Sequence, residues 1–166
     1  MTITIPVKPH LKKFLLKRYN GHPCLSMTDE FSAVLIQIIE GKRFLKPYEY
    51  ENRKYTDSIT FSIPAWYSSL NMITLKPSHL ILFNQFVDGA FRERIFDSVM
   101  IELANSPREY NVIKPVIKRF MVYYDINEDE LAYDSLMKYF YRWRKERNKK
   151  IFYKHVPLFN EVEKRA

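Results

Sequence analysis

Hydrophobic and polar positions alternate at two places in this chain, and repeat with a helical period over most of the rest. The run Thr2, Ile3, Thr4, Ile5 has period two and predicts a short strand with one apolar face, closed by Pro6 and Pro9. Residues 10–19 predict a helix. Its Leu11, Phe14, Leu15 and Leu16 face a core, and Lys12, Lys13, Lys17 and Arg18 cover the remaining surface. Asn20 and Gly21 form a stop signal. A second helix is predicted over 29–40, with Thr28 as N-cap and Asp29 and Glu30 at the positive end of the dipole. Phe31, Val34, Leu35, Ile38 and Ile39 share one face, and Gly41 ends it. Residues 42–57 are polar and Tyr-rich and read as a connector.

The second alternation is Ser58, Ile59, Thr60, Phe61, Ser62, Ile63, closed by Pro64. A short segment at 65–71 precedes a long helical pattern over 78–103. Gly89 in its middle predicts a kink or a close helix contact. Residues 1–41 and 58–104 follow the same order of strand, proline, short helix, turn and longer helix, the plan an internal duplication would leave.

Asn105, Ser106 and Pro107 break the pattern. The next helix is expected over 112–124, because Pro115 fits only a first turn. Val116, Ile117, Phe120 and Tyr123 or Tyr124 make its apolar face. Asp125, Ile126 and Asn127 read as a tight turn, and Asn127 and Glu130 have capping-box spacing before a long helix over 128–150. The expected fold is therefore mainly α: a helical protein with a small two-stranded antiparallel ribbon and a C-terminal helix-turn-helix. The expected regions are 1–106, a helix-turn-helix over 107–154 and a tail over 155–166.

Composition narrows the class. One cysteine among 166 residues gives no internal disulfide and no cysteine-based metal site. The N-terminus lacks the apolar stretch of a signal peptide, and no span reaches the ~20 apolar residues of a membrane helix. The expectation is a soluble cytoplasmic protein without a membrane partner. Net charge is +8, and it is unevenly spread. Residues 138–166 hold ten Lys/Arg against three Asp/Glu, a net +7, and residues 1–57 carry +4. Clustered cations of this kind are the footprint of a phosphate-binding surface.

The last long helix divides chemically along its length. Glu128, Asp129, Glu130 and Asp134 come first, and Lys138, Arg142, Arg144, Lys145, Arg147, Lys149 and Lys150 come late, with Glu146 among them. The dipole alone favours that polarity, but seven cations in thirteen residues exceed what it needs. Leu136, Tyr139, Phe140 and Trp143 form the core stripe, which leaves Arg142, Lys145 and Lys149 on the opposite face. Tyr141 lies off that stripe and is the tyrosine placed to stack on a base or donate to a phosphate. A recognition helix usually contacts bases with its first residues, which here are acidic. Three readings stay open: entry by the C-terminal half, contact along the backbone, or a motif that is only an αα-hairpin.

The polar faces of the two alternating runs carry Thr2 and Thr4, then Ser58, Thr60 and Ser62. Paired antiparallel, they would make a hydroxyl-lined ribbon of the kind that enters a major groove, with Lys8, Lys12 and Lys13 near flanking phosphates. In outline residues 1–100 resemble a single-chain ribbon-helix-helix pseudo-dimer, on pattern alone.

Catalytic motifs are missing. His10, His22, His79 and His155 are scattered, three glycines cannot build a phosphate loop, and no metal-ligand spacing occurs. The expectation is a non-enzymatic DNA-binding protein without cofactor or metal: a transcriptional regulator, or an accessory protein of replication or packaging, with room for a homodimer. Its competitors are an adaptor whose basic helix docks on an acidic protein, and a binder of single strands or RNA.

Overall fold

In the computed structural model seven elements follow in the order β1 (Thr2–Val7), α1 (Pro9–Arg18), α2 (Glu30–Ile39), β2 (Asp57–Ser62), α3 (Pro77–Ala104), α4 (Tyr110–Tyr123) and α5 (Tyr133–His155). The structure describes residues 2–40, 55–65, 67, 75–106 and 110–155, the side chains of 110–111 and 148–155 excepted. Most of the expected connector, part of segment 65–71 and the tail beyond His155 lie outside the described residues. The chain divides into two compact units, Met1–Leu131 and Ala132–Ala166.

The ribbon forms as the alternation predicts. β1 and β2 pair antiparallel, with Thr2 opposite Ser62, Thr4 opposite Thr60 and Ile5 opposite Ile59. Ile5, Val7, Ile59 and Phe61 are buried, and Thr2, Thr4, Ser58, Thr60 and Ser62 are exposed. The strand does not stop at Pro6 as expected. The Ser62 amide and carbonyl point away from β1, to Pro23 and Leu25. Its partner Thr2, and with it Thr4 and Pro6, therefore direct their backbone groups to the outer edge of β1. Proline at such a position costs no ladder hydrogen bond, so β1 runs through Pro6 to Val7. In non-hydrogen-bonded pairs the side chains stand closer, and the Thr4 and Thr60 hydroxyls meet at 2.9 Å.

α1 begins one residue early, at Pro9, where a missing N–H is harmless. Leu11, Phe14 and Leu15 are buried, and Leu16 is half-buried. Asn20 and Gly21 take positive φ (50° and 80°), and the Gly21 amide reaches back to the Leu16 carbonyl at 2.8 Å, closing the helix. The α2 N-cap is Asp29, not Thr28: its carboxylate accepts from the Ser32 amide at 2.9 Å, while the Thr28 hydroxyl bonds Ser26. Gly89 in α3 makes no close helix contact, since a Cβ built there meets nothing within 4 Å.

α4 begins at Tyr110, so Pro115 lies inside the helix and not in its first turn. The one hydrogen bond lost at Pro115 is offset by burial of Ile113, Val116, Ile117 and Met121 on the face that packs with α3. Of the two tyrosines expected as alternatives on the apolar face, Tyr124 takes the place, touching Phe14, Phe91 and Phe120, and Tyr123 is 60 % exposed. Phe14, Phe31, Phe61, Phe83 and Phe91 are fully buried, and their edge-to-face contacts tie α1, α2, β2 and α3 into one core.

The turn after α4 is longer than expected. Asp125 adopts φ 54°, and the Ile126 amide returns to the Met121 carbonyl. Asn127 and Glu130 do pair as in a capping box, with the Asn127 amide donating to Glu130 Oε2 at 3.0 Å. Only a single turn follows, and α5 starts at Tyr133. Glu128, Asp129 and Glu130 thus belong to the link and not to the basic helix.

Candidate nucleic-acid interface

α5 buries Leu136 and Phe140, one turn apart, and these define its inner face. The helical period places Lys138, Arg142 and Lys145 in a row on the opposite side. Lys138, Arg142 and Lys145 are exposed, and among the described residues none of the three meets a carboxylate. Asp134 and Glu146 are the only acidic residues in 133–147.

The remaining predicted cations sit differently. The Arg147 guanidinium lies 4.9 Å from the centre of the Trp143 ring, which in turn stacks beside Phe140. Arg144 is half-buried. The side chains of Lys149 and Lys150 lie outside the described residues. Tyr141 is 48 % exposed, away from the inner face as predicted, whereas Tyr139, expected in the core stripe, is 42 % exposed.

The predicted lysines of the first unit are tied into the fold. Lys8 lies 3.7 Å from Asp88, Lys12 is 2.6 Å from Asp57, and Lys13 is 2.9 Å from Glu130. The Lys12 ammonium beside Asp57 holds that carboxyl below the usual range. For Glu130 burial pushes upward, but hydrogen bonds from Lys13 and the Asn127 amide outweigh it and lower the pKa. Glu130 hydrogen-bonding in turn raises Lys13. The hydroxyl face of the ribbon is also partly engaged: Thr4 bonds Thr60, and the Ser62 hydroxyl donates to the Pro23 carbonyl at 3.2 Å.

Two ionic hubs escaped the sequence reading. Asp88 on α3 gathers Arg92 at 2.7 Å, His10 at 3.4 Å and Lys8 at 3.7 Å. Burial raises its pKa, but these partners prevail and lower it. Asn84, Asp88 and Arg92 recur every four residues and so share one face of α3, a spacing that the sequence did display. Asp29 collects the Arg18 guanidinium (2.9 and 3.1 Å), the Tyr19 hydroxyl and the Ser32 amide. Both hubs join helices of the first unit and explain where its charge goes.

Among the described residues no group of His, Cys, Asp and Glu could hold a metal ion, and no helix is long and apolar enough to cross a membrane. No protein-family model, no curated protein and no solved structure matches this chain.

Proposed function

We propose that this protein is a non-enzymatic nucleic-acid-binding protein, with DNA as the expected partner, and that the exposed row on α5 contacts the phosphates. One contrast carries the reading. Lys8, Lys12, Lys13 and Arg18 in the first unit lie against carboxylates of their own fold, whereas Lys138, Arg142 and Lys145 meet none among the described residues. Folding has no need of that second set. A desolvated or paired cation serves structure, whereas an unpaired row of long cations has its best partner in a polyanion.

The reading does not require a helix-turn-helix. The first turn of α5 holds Asp134 and no cation, so groove entry by the helix N-terminus is disfavoured. Contact along the backbone by the middle and C-terminal turns suits the charge distribution. The exposed hydroxyls of the ribbon are a subsidiary contact in this scheme, through hydrogen bonds and not charge.

The test is charge reversal of Arg142, Lys145 and Lys149 together, read by electrophoretic shift with labelled DNA over a salt series. Loss of most binding at moderate salt is the expected result. Wild-type affinity in the triple variant would move the site elsewhere. Displacement of an acidic protein by excess DNA, or failure to displace it, separates this reading from an adaptor role.

A further inference from the structure

We propose that the polyanion taken by α5 is an unpaired DNA strand, held by phosphate contacts along the cation row and by base stacking on Tyr139 and Tyr141. This rests on the preceding reading of α5 and names the form of nucleic acid that its surface fits.

The geometry follows from the helical period. Taking the row of Lys138, Arg142 and Lys145 as the outer meridian of the helix, Tyr141 stands roughly 70° to one side and Tyr139 roughly 90° to the other. Both rings are about half exposed, at 48 % and 42 %. They border the cations near mid-row, one on each flank. Trp143 does not compete for this task, since it is half-buried and carries the Arg147 guanidinium on its ring.

A strand laid along the row brings its phosphates to the ammonium and guanidinium groups. Its bases, if unpaired, then splay sideways onto whichever tyrosine they pass. Cations that track a backbone beside aromatic rings are the general solution for sequence-tolerant single-strand binding. A duplex gains only the first half of this arrangement, because its bases are stacked on one another and closed to the rings.

Tyr139 and Tyr141 are among the exposed large apolar side chains of the described residues, and the two rings bracket a row of cations that meets no carboxylate among those residues. The hydroxyls alone could serve as phosphate donors. The ring, not the hydroxyl, is what the proposal needs, and the two are separable.

The experiment uses the full chain, with fluorescence anisotropy of a labelled oligodeoxythymidylate and of a hairpin duplex of the same total length, at one moderate salt concentration. The wild type is expected to bind the oligodeoxythymidylate more tightly. Tyr139→Ala with Tyr141→Ala should weaken that binding about ten-fold or more per ring, and leave duplex binding nearly unchanged. Tyr139→Phe with Tyr141→Phe should retain it. Both pairs replace exposed side chains, and circular dichroism of each verifies that α5 is intact. Equal or tighter duplex binding, an unaffected alanine pair, or a phenylalanine pair as weak as the alanine pair each overturns the inference while the phosphate reading stands. Failure of the wild type to bind either probe overturns both.

Discussion

Asn84, buried on α3, donates from Nδ2 to the Pro6 carbonyl of β1 at 2.8 Å and to the Leu80 carbonyl at 2.9 Å. The first bond satisfies an outward-facing backbone acceptor at a strand edge, and proline leaves no donor beside it. Helix and ribbon are thereby fixed to one another, and the edge is closed to another strand at that point. Asn84→Ala strands the Pro6 carbonyl and should cost about 1–3 kcal/mol. The urea midpoint should fall with an unchanged slope. A midpoint within error of wild type would show that the Pro6 carbonyl finds water as readily.

Asp29 joins three jobs at one carboxylate, capping α2 while gripping Arg18 and Tyr19. Burial raises its pKa, but the hydrogen bonds from Tyr19, the Ser32 amide and Arg18 outweigh that and lower it. Asp57, Asp88 and Glu130 are lowered as well. A carboxyl depressed in the folded state stabilises the fold above its unfolded pKa, roughly 4, and that contribution is lost as pH falls through the folded value. Stability should thus hold from neutral pH down to about 5 and decline below about 4. Tyr19 runs the other way: burial, then Asp29, raises its pKa, so its contribution is lost as pH rises past the unfolded value of about 10. Asp29→Ala should cost about 2 kcal/mol at pH 7 and flatten part of the acid decline. An unaltered acid limb in that variant would assign the decline to the other three carboxyls.

The two glycines that the structure describes should respond in opposite directions. Gly21 has φ 80°, where an L side chain is strained whatever the space, so Gly21→Ala should destabilise by about 1 kcal/mol or more. Gly89 is helical, and a Cβ there enters open space, so Gly89→Ala should stabilise by about 0.5–1 kcal/mol. Thermal unfolding of the two variants settles the signs. A destabilised Gly89→Ala would mean that α3 needs its backbone freedom at mid-length.

Much of this architecture was legible because periodicity reports burial. The two alternations gave both strands and their faces, and the apolar spacing gave the inward sides of α1 and α2. What stayed hidden depends on contacts across the fold. Nothing local says that Asn84 will cover Pro6, so proline looked like a strand terminator. Asn127 and Glu130 have the spacing of a helix start, and they do bond as one. Glu130 is also claimed by Lys13 from α1, and the true helix begins at Tyr133. The candidate site shows the same division. The cation row of α5 follows from spacing alone, but the pairing of Lys8, Lys12 and Lys13 with Asp88, Asp57 and Glu130 spans large sequence separations. Charge counted along the chain could not tell a structural cation from an available one.

That last distinction yields a prediction about salt. Each phosphate contact made by a cation adds about −0.9 for a duplex, or about −0.7 for a single strand, to the slope of log affinity against log salt. Lys138→Gln, Arg142→Gln and Lys145→Gln together remove three exposed cations from α5 and should make the slope shallower by about 2 to 3. Because the three side chains make no ion pair among the described residues, the urea midpoint should hardly change. Lys12→Gln with Lys13→Gln is the opposite case. Those lysines answer Asp57 and Glu130, so their loss should lower stability, most of all near neutral pH where both carboxylates are charged, and leave the salt slope of binding in place. Affinity titrations at several salt concentrations, paired with urea unfolding of the same two variants, read both axes at once. The structural assignment of charge fails if the variants exchange behaviours, with the α1 lysines setting the salt slope and the α5 cations setting the stability.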